Sequence, residues 1–137
     1  MPEPRGNIVV IEDDAGQSRA LSRLLQVAGF TTSAFDSAEA ALASSALGDA
    51  DCVVTDIHLP GMSGLDLHAC IRASGTPPFI VVTADADDCS RQRAQAIGAV
   101  AYLLKPLEGR ALLSAVGTAV GMSITLRKGK TGSNSKH

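Results

Sequence analysis

A chain of 137 residues is long enough for one hydrophobic core and too short for two ordinary domains, and 45% hydrophobic with 19% charged residues is a globular balance. No apolar run approaches the roughly 20 residues that cross a bilayer, and the opening MPEPRGN lacks the apolar centre of a secretory signal, so the expectation is a cytoplasmic protein with no membrane partner. Formal net charge is −2, yet every acid precedes residue 109 while Arg127, Lys128, Lys130 and Lys136 crowd the tail, so the body is acidic and ill suited to grip nucleic acid.

The first expected strand is IVVI at 8–11, an unbroken β-branched run that suits a parallel strand covered on both faces. It ends in Glu12, Asp13 and Asp14. A helix follows, with Asp14 and Gln17 as a capping pair, Ala20, Leu21, Leu24, Leu25 and Ala28 as its apolar stripe, and Gly29 as its stop. TTSAF at 31–35 has few apolar residues and reads as an edge strand. Asp36 and Glu39 repeat the capping spacing ahead of Ala41 and Leu42, where a second helix begins. CVV at 52–54 is the third strand and delivers Asp56 to a loop broken by Pro60 and Gly61. Ser63 caps a third helix through Leu65 and Ile71 to about Ala73. FIVV at 79–82 leads to Thr83. The helix expected at 87–97 is polar, with Ala94 and Ile97 as its apolar anchors, and should be the least firmly held. VAYLL at 100–104, another continuous run, leads to Lys105 and Pro106, and the last helix presents Leu112, Leu113, Val116, Ala119 and Val120 on one side. RKGKTGSNSKH closes the chain without apolar period, so the body is expected at 1–121 and a flexible basic tail or linker start at 122–137. Cys52, Cys70 and Cys89 are odd in number with no C-x-x-C pair; neither a disulfide framework nor a zinc site is indicated, and small buried or half-buried thiols are expected.

Five strands alternating with five helices imply an α/β fold, an open parallel sheet with helices on both faces, of the flavodoxin-like (βα)5 kind with strand order 2-1-3-4-5. In such sheets the working site lies beyond the carboxyl ends of the strands, where the first and third strands meet. That edge would gather Glu12, Asp13 and Asp56. Like charges so close repel unless a cation sits among them, and an all-oxygen, partly open cluster suits Mg²⁺ or Mn²⁺. Asp14 reads as a helix cap alone. Thr83 and Lys105, at the ends of the fourth and fifth strands, offer a hydroxyl donor and a full positive charge to an anion.

Together VVIEDD, VVTDIHLPGMSGLDL, VVTA and AYLLKP, in that order, resemble the receiver domains of bacterial two-component response regulators over residues 6–120. LPGMSGLDL and AGFTTSAFDSAEAAL resemble the nitrogen-fixation regulator type more than the chemotaxis type. The resemblance implies that Asp56 is the phosphoacceptor, taking a phosphoryl group from a sensor histidine kinase or a histidine phosphotransfer protein. It implies Mg²⁺ held by Asp13, Asp56 and the backbone carbonyl of His58, with Glu12 acting through water. Lys105, the Thr83 hydroxyl and the Ala84 amide would hold phosphoryl oxygens. Thr83 and Tyr102 would carry the switch to the face made by the fourth helix, fifth strand and fifth helix. The Lys105–Pro106 bond would be cis. His58 and Asp85 stand at the two variable places that tune the lifetime of the phosphate, and Glu12 replaces a more frequent aspartate. A downstream protein target, an output domain or a phosphorylation-dependent homodimer would receive the signal. Such a chain is no enzyme in the ordinary sense, catalysing its own phosphorylation and dephosphorylation.

Two other readings compete. A haloacid-dehalogenase-type phosphohydrolase also forms an aspartyl phosphate, but it wants a second acid two residues after the nucleophile, where this chain has His58. A receiver that binds partners without phosphate would lack part of the set Asp13, Asp56, Thr83 and Lys105, and none is missing. The phosphate-binding G-x-x-x-x-G-K-[ST] loop is absent.

Overall fold

Side chains alternate across a strand, so each continuous apolar run feeds two separate layers, and the four such runs of this chain make one sheet together with the more polar TTSAF. The computed structural model describes residues 5–71, 76–84 and 87–136, the stretch 123–136 as backbone alone. Among the described residues the strands are β1 (Asn7–Ile11), β2 (Thr31–Phe35), β3 (Cys52–Asp56), β4 (Phe79–Thr83) and β5 (Ala101–Leu104). The helices are α1 (Ala15–Val27), α2 (Ala38–Ala43), α3 (Gly64–Ile71), α4 (Asp88–Ala96) and α5 (Gly109–Lys136), with a 3-10 turn at Ala46–Asp49. Every strand pair is parallel and the order is β2-β1-β3-β4-β5, as expected for the flavodoxin-like arrangement.

Ile8 and Val10 of β1, Cys52 and Val54 of β3, and Ile80 and Val82 of β4 point to one face, where Leu25 of α1 and Leu112, Val116, Ala119 and Val120 of α5 cover them. Val9, Ile11, Val53 and Phe79 point to the other, under Ala38 and Ala41 of α2 and Leu67 of α3. Val81 continues that second layer with Leu65 of α3 and Ala94 of α4. Each fully buried Val, Leu, Ile or Phe stabilises the fold by roughly 1.5–3 kcal/mol, so three central strands buried on both faces hold most of the packing energy. β5 departs from the expectation of two covered faces. It is the second edge of the sheet, its residues are half-buried and Leu104 is exposed.

The helix ends follow local chemistry. Asp14 caps α1, its Oδ1 accepting from the Gln17 amide at 2.8 Å, and Gly29, at φ +101°, turns the chain toward β2. The stripe of α1 is narrower than expected: Leu21, Leu24, Leu25 and Ala28 pack inward, and Ala20, at its border, is exposed. Ser37, not Asp36, caps α2, because its extended backbone brings Oγ within 3.0 Å of the Ala40 amide. Ser63 and Asp66 cap α3 reciprocally, Asp66 N donating to Ser63 Oγ at 3.0 Å and Ser63 N to Asp66 Oδ2 at 3.3 Å. Residues 72–73, expected at the end of this helix, lie outside the described residues. The helical backbone of α5 continues to Lys136, where irregular chain was expected from 122. No proline follows Pro106, and adding residues to a formed helix costs far less than starting one. Among the residues whose side chains are described, the last buried positions are Ala119 and Val120, and Gly121 and Met122 are exposed. Of the thiols, Cys52 is buried while Cys70 and Cys89 are exposed rather than half-buried, since they fall on the outer sides of α3 and α4. No helix among the described residues is long and apolar enough to cross a membrane.

Candidate functional site

The ladder extends one residue past two of the strands, and that extension builds the site. Glu12 N donates to the Phe35 carbonyl at 3.0 Å and Lys105 N to the Thr83 carbonyl at 2.9 Å, so both residues keep the pleat of the strands before them. Glu12 therefore continues the alternation of Ile8 and Val10, Asp56 that of Cys52 and Val54, and Lys105 that of Ala101 and Leu103. All three side chains rise on the same side of the sheet. There Lys105 Nζ donates to Glu12 Oε1 and to Asp56 Oδ2, each at 2.7 Å. Glu12 is 3% and Asp56 8% exposed. Burial works against the charged ammonium of Lys105, but hydrogen bonds and charge from Asp56 and Glu12 outweigh it and hold its pKa above the ordinary 10.5.

The second oxygens are also engaged. Asp56 Oδ1 accepts from the His58 amide at 2.9 Å and Glu12 Oε2 from the Asp14 amide at 3.2 Å, so neither carboxylate rotates freely. The loop carrying His58 starts with Ile57 N donating to the Val82 carbonyl at 3.1 Å. It ends where α3 comes so close to β3 that a Cβ on Gly64 would lie 2.5 Å from Thr55 Oγ1. Asp13 follows Glu12 with the opposite parity and is exposed. Carboxylate oxygens of Glu12, Asp13 and Asp56 nevertheless lie within 4.8 Å of one another. Three formal negative charges against one ammonium leave two uncompensated, and the donors are all hard oxygens, which fits a divalent cation of the Mg²⁺ class.

Thr83 is fully buried at the end of β4, with Ala84 exposed just beyond it. Thr83 pairs with Leu104 and Val81 with Tyr102, so Thr83 and Tyr102 are diagonal neighbours on the sheet face under α4. The Lys105–Pro106 peptide bond is cis. His58 is exposed at the rim, and Asp85 lies outside the described residues. Hydrogen bonds and proximity thus bring together Glu12, Asp13, Asp56, the His58 amide and Lys105, while Thr83 ends the neighbouring strand β4 and Ala84 follows it. The family resemblance implies a water-mediated metal role for Glu12; its direct bond to Lys105 is a further feature, which depends on a lysine reaching across β4 and β3 and which strand order alone does not reveal.

The pattern of a receiver family model, described as the response regulator receiver domain, matches residues 8–117. The chain belongs to the response regulator receiver domain family. The transcriptional regulatory protein FixJ of Bradyrhizobium diazoefficiens is 35% identical over 117 residues, which is 85% of this chain and 57% of FixJ. Nodulation protein W of the same organism is 37% identical over 110 residues, 80% of this chain and 48% of that protein. A structure of the response regulator StyR superposes with a TM-score of 0.86 at 30% identity, covering 98% of this chain and 67% of StyR. The chain spans about half the length of the curated relatives it matches. The family, its flavodoxin-like fold and the nitrogen-fixation regulator subtype all stand as the motifs implied. The chain is a receiver of two-component signal transduction, and its acid cluster facing a lysine fits a phosphoryl-accepting role.

Proposed function

We propose that Asp56 takes a phosphoryl group from the phosphohistidine of a sensor histidine kinase or a histidine phosphotransfer protein. The observation that carries this reading is the buried Asp56 carboxylate held between Lys105 Nζ at 2.7 Å and the His58 amide at 2.9 Å, beside two further acids. Those two donors fix the orientation of the carboxylate. One of its oxygens attacks phosphorus; the new P–O bond forms as the P–N bond breaks, and the electron pair returns to the imidazole nitrogen of the donor protein.

Asp13, Asp56 and the His58 carbonyl would hold Mg²⁺ or Mn²⁺, with Glu12 acting through water. When bound, such an ion offsets the charge of the phosphoryl oxygens and the carboxylates. Lys105 exchanges its Asp56 contact for a phosphoryl oxygen, while Thr83 Oγ1 and the Ala84 amide donate to the others. The chain's chemistry is then confined to its own phosphorylation and dephosphorylation, with His58 and Asp85 flanking the approach of water. Thr83, drawn to the phosphate, leaves space beneath α4 for Tyr102 to turn into. This alters the α4–β5–α5 face for a downstream protein, an output domain or a second copy, in the cytoplasm. The hydrolase reading is not favoured, because His58 stands where a leaving-group acid would be required.

Incubation with acetyl phosphate and Mg²⁺, followed by intact-mass measurement, is expected to give a single phosphoryl adduct that disappears in Asp56→Asn. An adduct persisting in that variant would place the nucleophile on another residue. Steady release of phosphate from generic phosphoesters would favour the hydrolase.

A further inference from the structure

The loop over residues 57–63 carries the His58 amide and carbonyl on which the site depends, yet it is held at its middle from an element outside the site. Its start is tied to β4 through Ile57 N, and its end is tied to α3 through the Ser63–Asp66 cap. Between them the Met62 amide donates to Glu39 Oε2 of α2 at 3.0 Å. Gly61 lies against the same oxygen: its φ is +78°, and a Cβ there would stand 2.5 Å from Glu39 Oε2. The glycine is thus required by backbone conformation and by the approach of the carboxylate. The base of this contact is firm. Ala38 and Ala41, flanking Glu39 on α2, are fully buried, and Leu59 and Met62 of the loop pack in the same cluster. The Met62 hydrogen bond also lowers the pKa of Glu39, keeping the acceptor ionised.

We infer that Glu39 is a positioning residue for the phosphoacceptor site: its carboxylate anchors the 57–63 loop through Met62 and so fixes the His58 peptide beside Asp56. The inference rests on the reading of Asp56 as phosphoacceptor. Among the described residues Glu39 makes no hydrogen bond to Asp56 or to the acid cluster, and acts through the loop backbone. A purely structural role would predict lost stability with an unchanged site. Positioning predicts the reverse, a site that loosens while the fold holds, since Glu39 is an exposed residue.

The test compares Glu39→Ala and Glu39→Gln with wild type in the full chain. Amide hydrogen exchange of His58 and Met62 is followed in metal-free buffer, together with Mg²⁺ affinity by calorimetry and thermal unfolding. In Glu39→Ala both amides should exchange faster and Mg²⁺ should bind about tenfold more weakly, the scale of losing an outer-shell partner, with Tm little changed. Glu39→Gln retains an acceptor oxygen and should restore His58 protection and bring Mg²⁺ affinity to within about threefold of wild type, a difference that loss of the charge alone accounts for. His58 exchange and Mg²⁺ affinity both unchanged in Glu39→Ala would overturn the inference. So would a loss of affinity that tracks a fall in Tm and is not relieved by glutamine. A wild-type chain that takes no phosphoryl group would instead overturn the functional reading, leaving His58 exchange to judge Glu39 separately.

Discussion

Lys105 is the residue on which the unphosphorylated site balances, because its one ammonium serves two buried carboxylates. Removing one member of a partly buried charge cluster leaves the others uncompensated, which costs about 3 kcal/mol. Lys105→Met is therefore expected to lower stability by about that amount in metal-free buffer, with much of the loss recovered on adding Mg²⁺, read from urea midpoints with and without the ion. The pH dependence has a defined sign. The folded pKa of Lys105 lies above its ordinary 10.5, so its contribution is fully present below 10.5 and fades as pH rises through the folded value. Above neutrality the stability gap between wild type and Lys105→Met should narrow only as pH rises beyond 10.5; a gap that closed between pH 6 and 9 would contradict the assignment. Cys52 shows the opposite case, a thiol that burial alone pushes up to about 12, which makes it inert packing.

At the scale of elements, the junction of β3 with α3 decides how closely Asp56 is framed. A Cβ on Gly64 would meet Thr55 Oγ1 at 2.5 Å, Thr55 Cγ2 at 2.6 Å and the Asp56 carbonyl at 3.1 Å. Gly64→Ala is expected to cost about 2 kcal/mol by overpacking and to weaken labelling at Asp56. Thr55→Ala removes the two nearest atoms and should recover part of that loss in the double variant; additive losses in chemical denaturation would show that the contact does not matter. Much of this architecture was legible in sequence, because β-branched runs covered on both faces leave an unbroken apolar mark and IEDD, Asp56, Thr83 and Lys105 each end one. Ser63 and Asp14 were legible as caps for the same local reason. Less legible was whatever depended on one element meeting another. Asp36 and Ser37 compete as caps at nearly the same spacing, and only the extended backbone at Ser37 decides between them. Glu39 looked like part of a cap, while its partner, Met62, is 23 residues away. The length of α5 escaped because a linker-like composition and a helical backbone do not exclude each other.

Over the whole molecule, the acid cluster and the α4–β5–α5 face are joined by a short path through the sheet. Thr83 sits at the site end of β4, Tyr102 lies diagonally from it on β5, and the Arg91 guanidinium of α4 stands 5.6 Å from the centre of the Tyr102 ring. The face bordering this ring is lightly held, since α4 buries only Ser90 and Ala94 among its described residues. A ligand can shift such a balance by no more than its differential affinity for the two states, and in the proposed function Thr83 senses that difference. Tyr102 is the single tyrosine and tryptophan is absent, which makes intrinsic emission a report on this ring alone. Beryllofluoride with Mg²⁺, at a hundredfold excess over its dissociation constant, should stabilise wild type by about 2.7 kcal/mol and change Tyr102 emission. Thr83→Ala should retain most of the stabilisation, because Asp56, Asp13 and Lys105 still meet the ligand, while the change in emission falls sharply. An undiminished emission change in Thr83→Ala would mean that the ring answers to the site by some other route, through Lys105 and the end of β5.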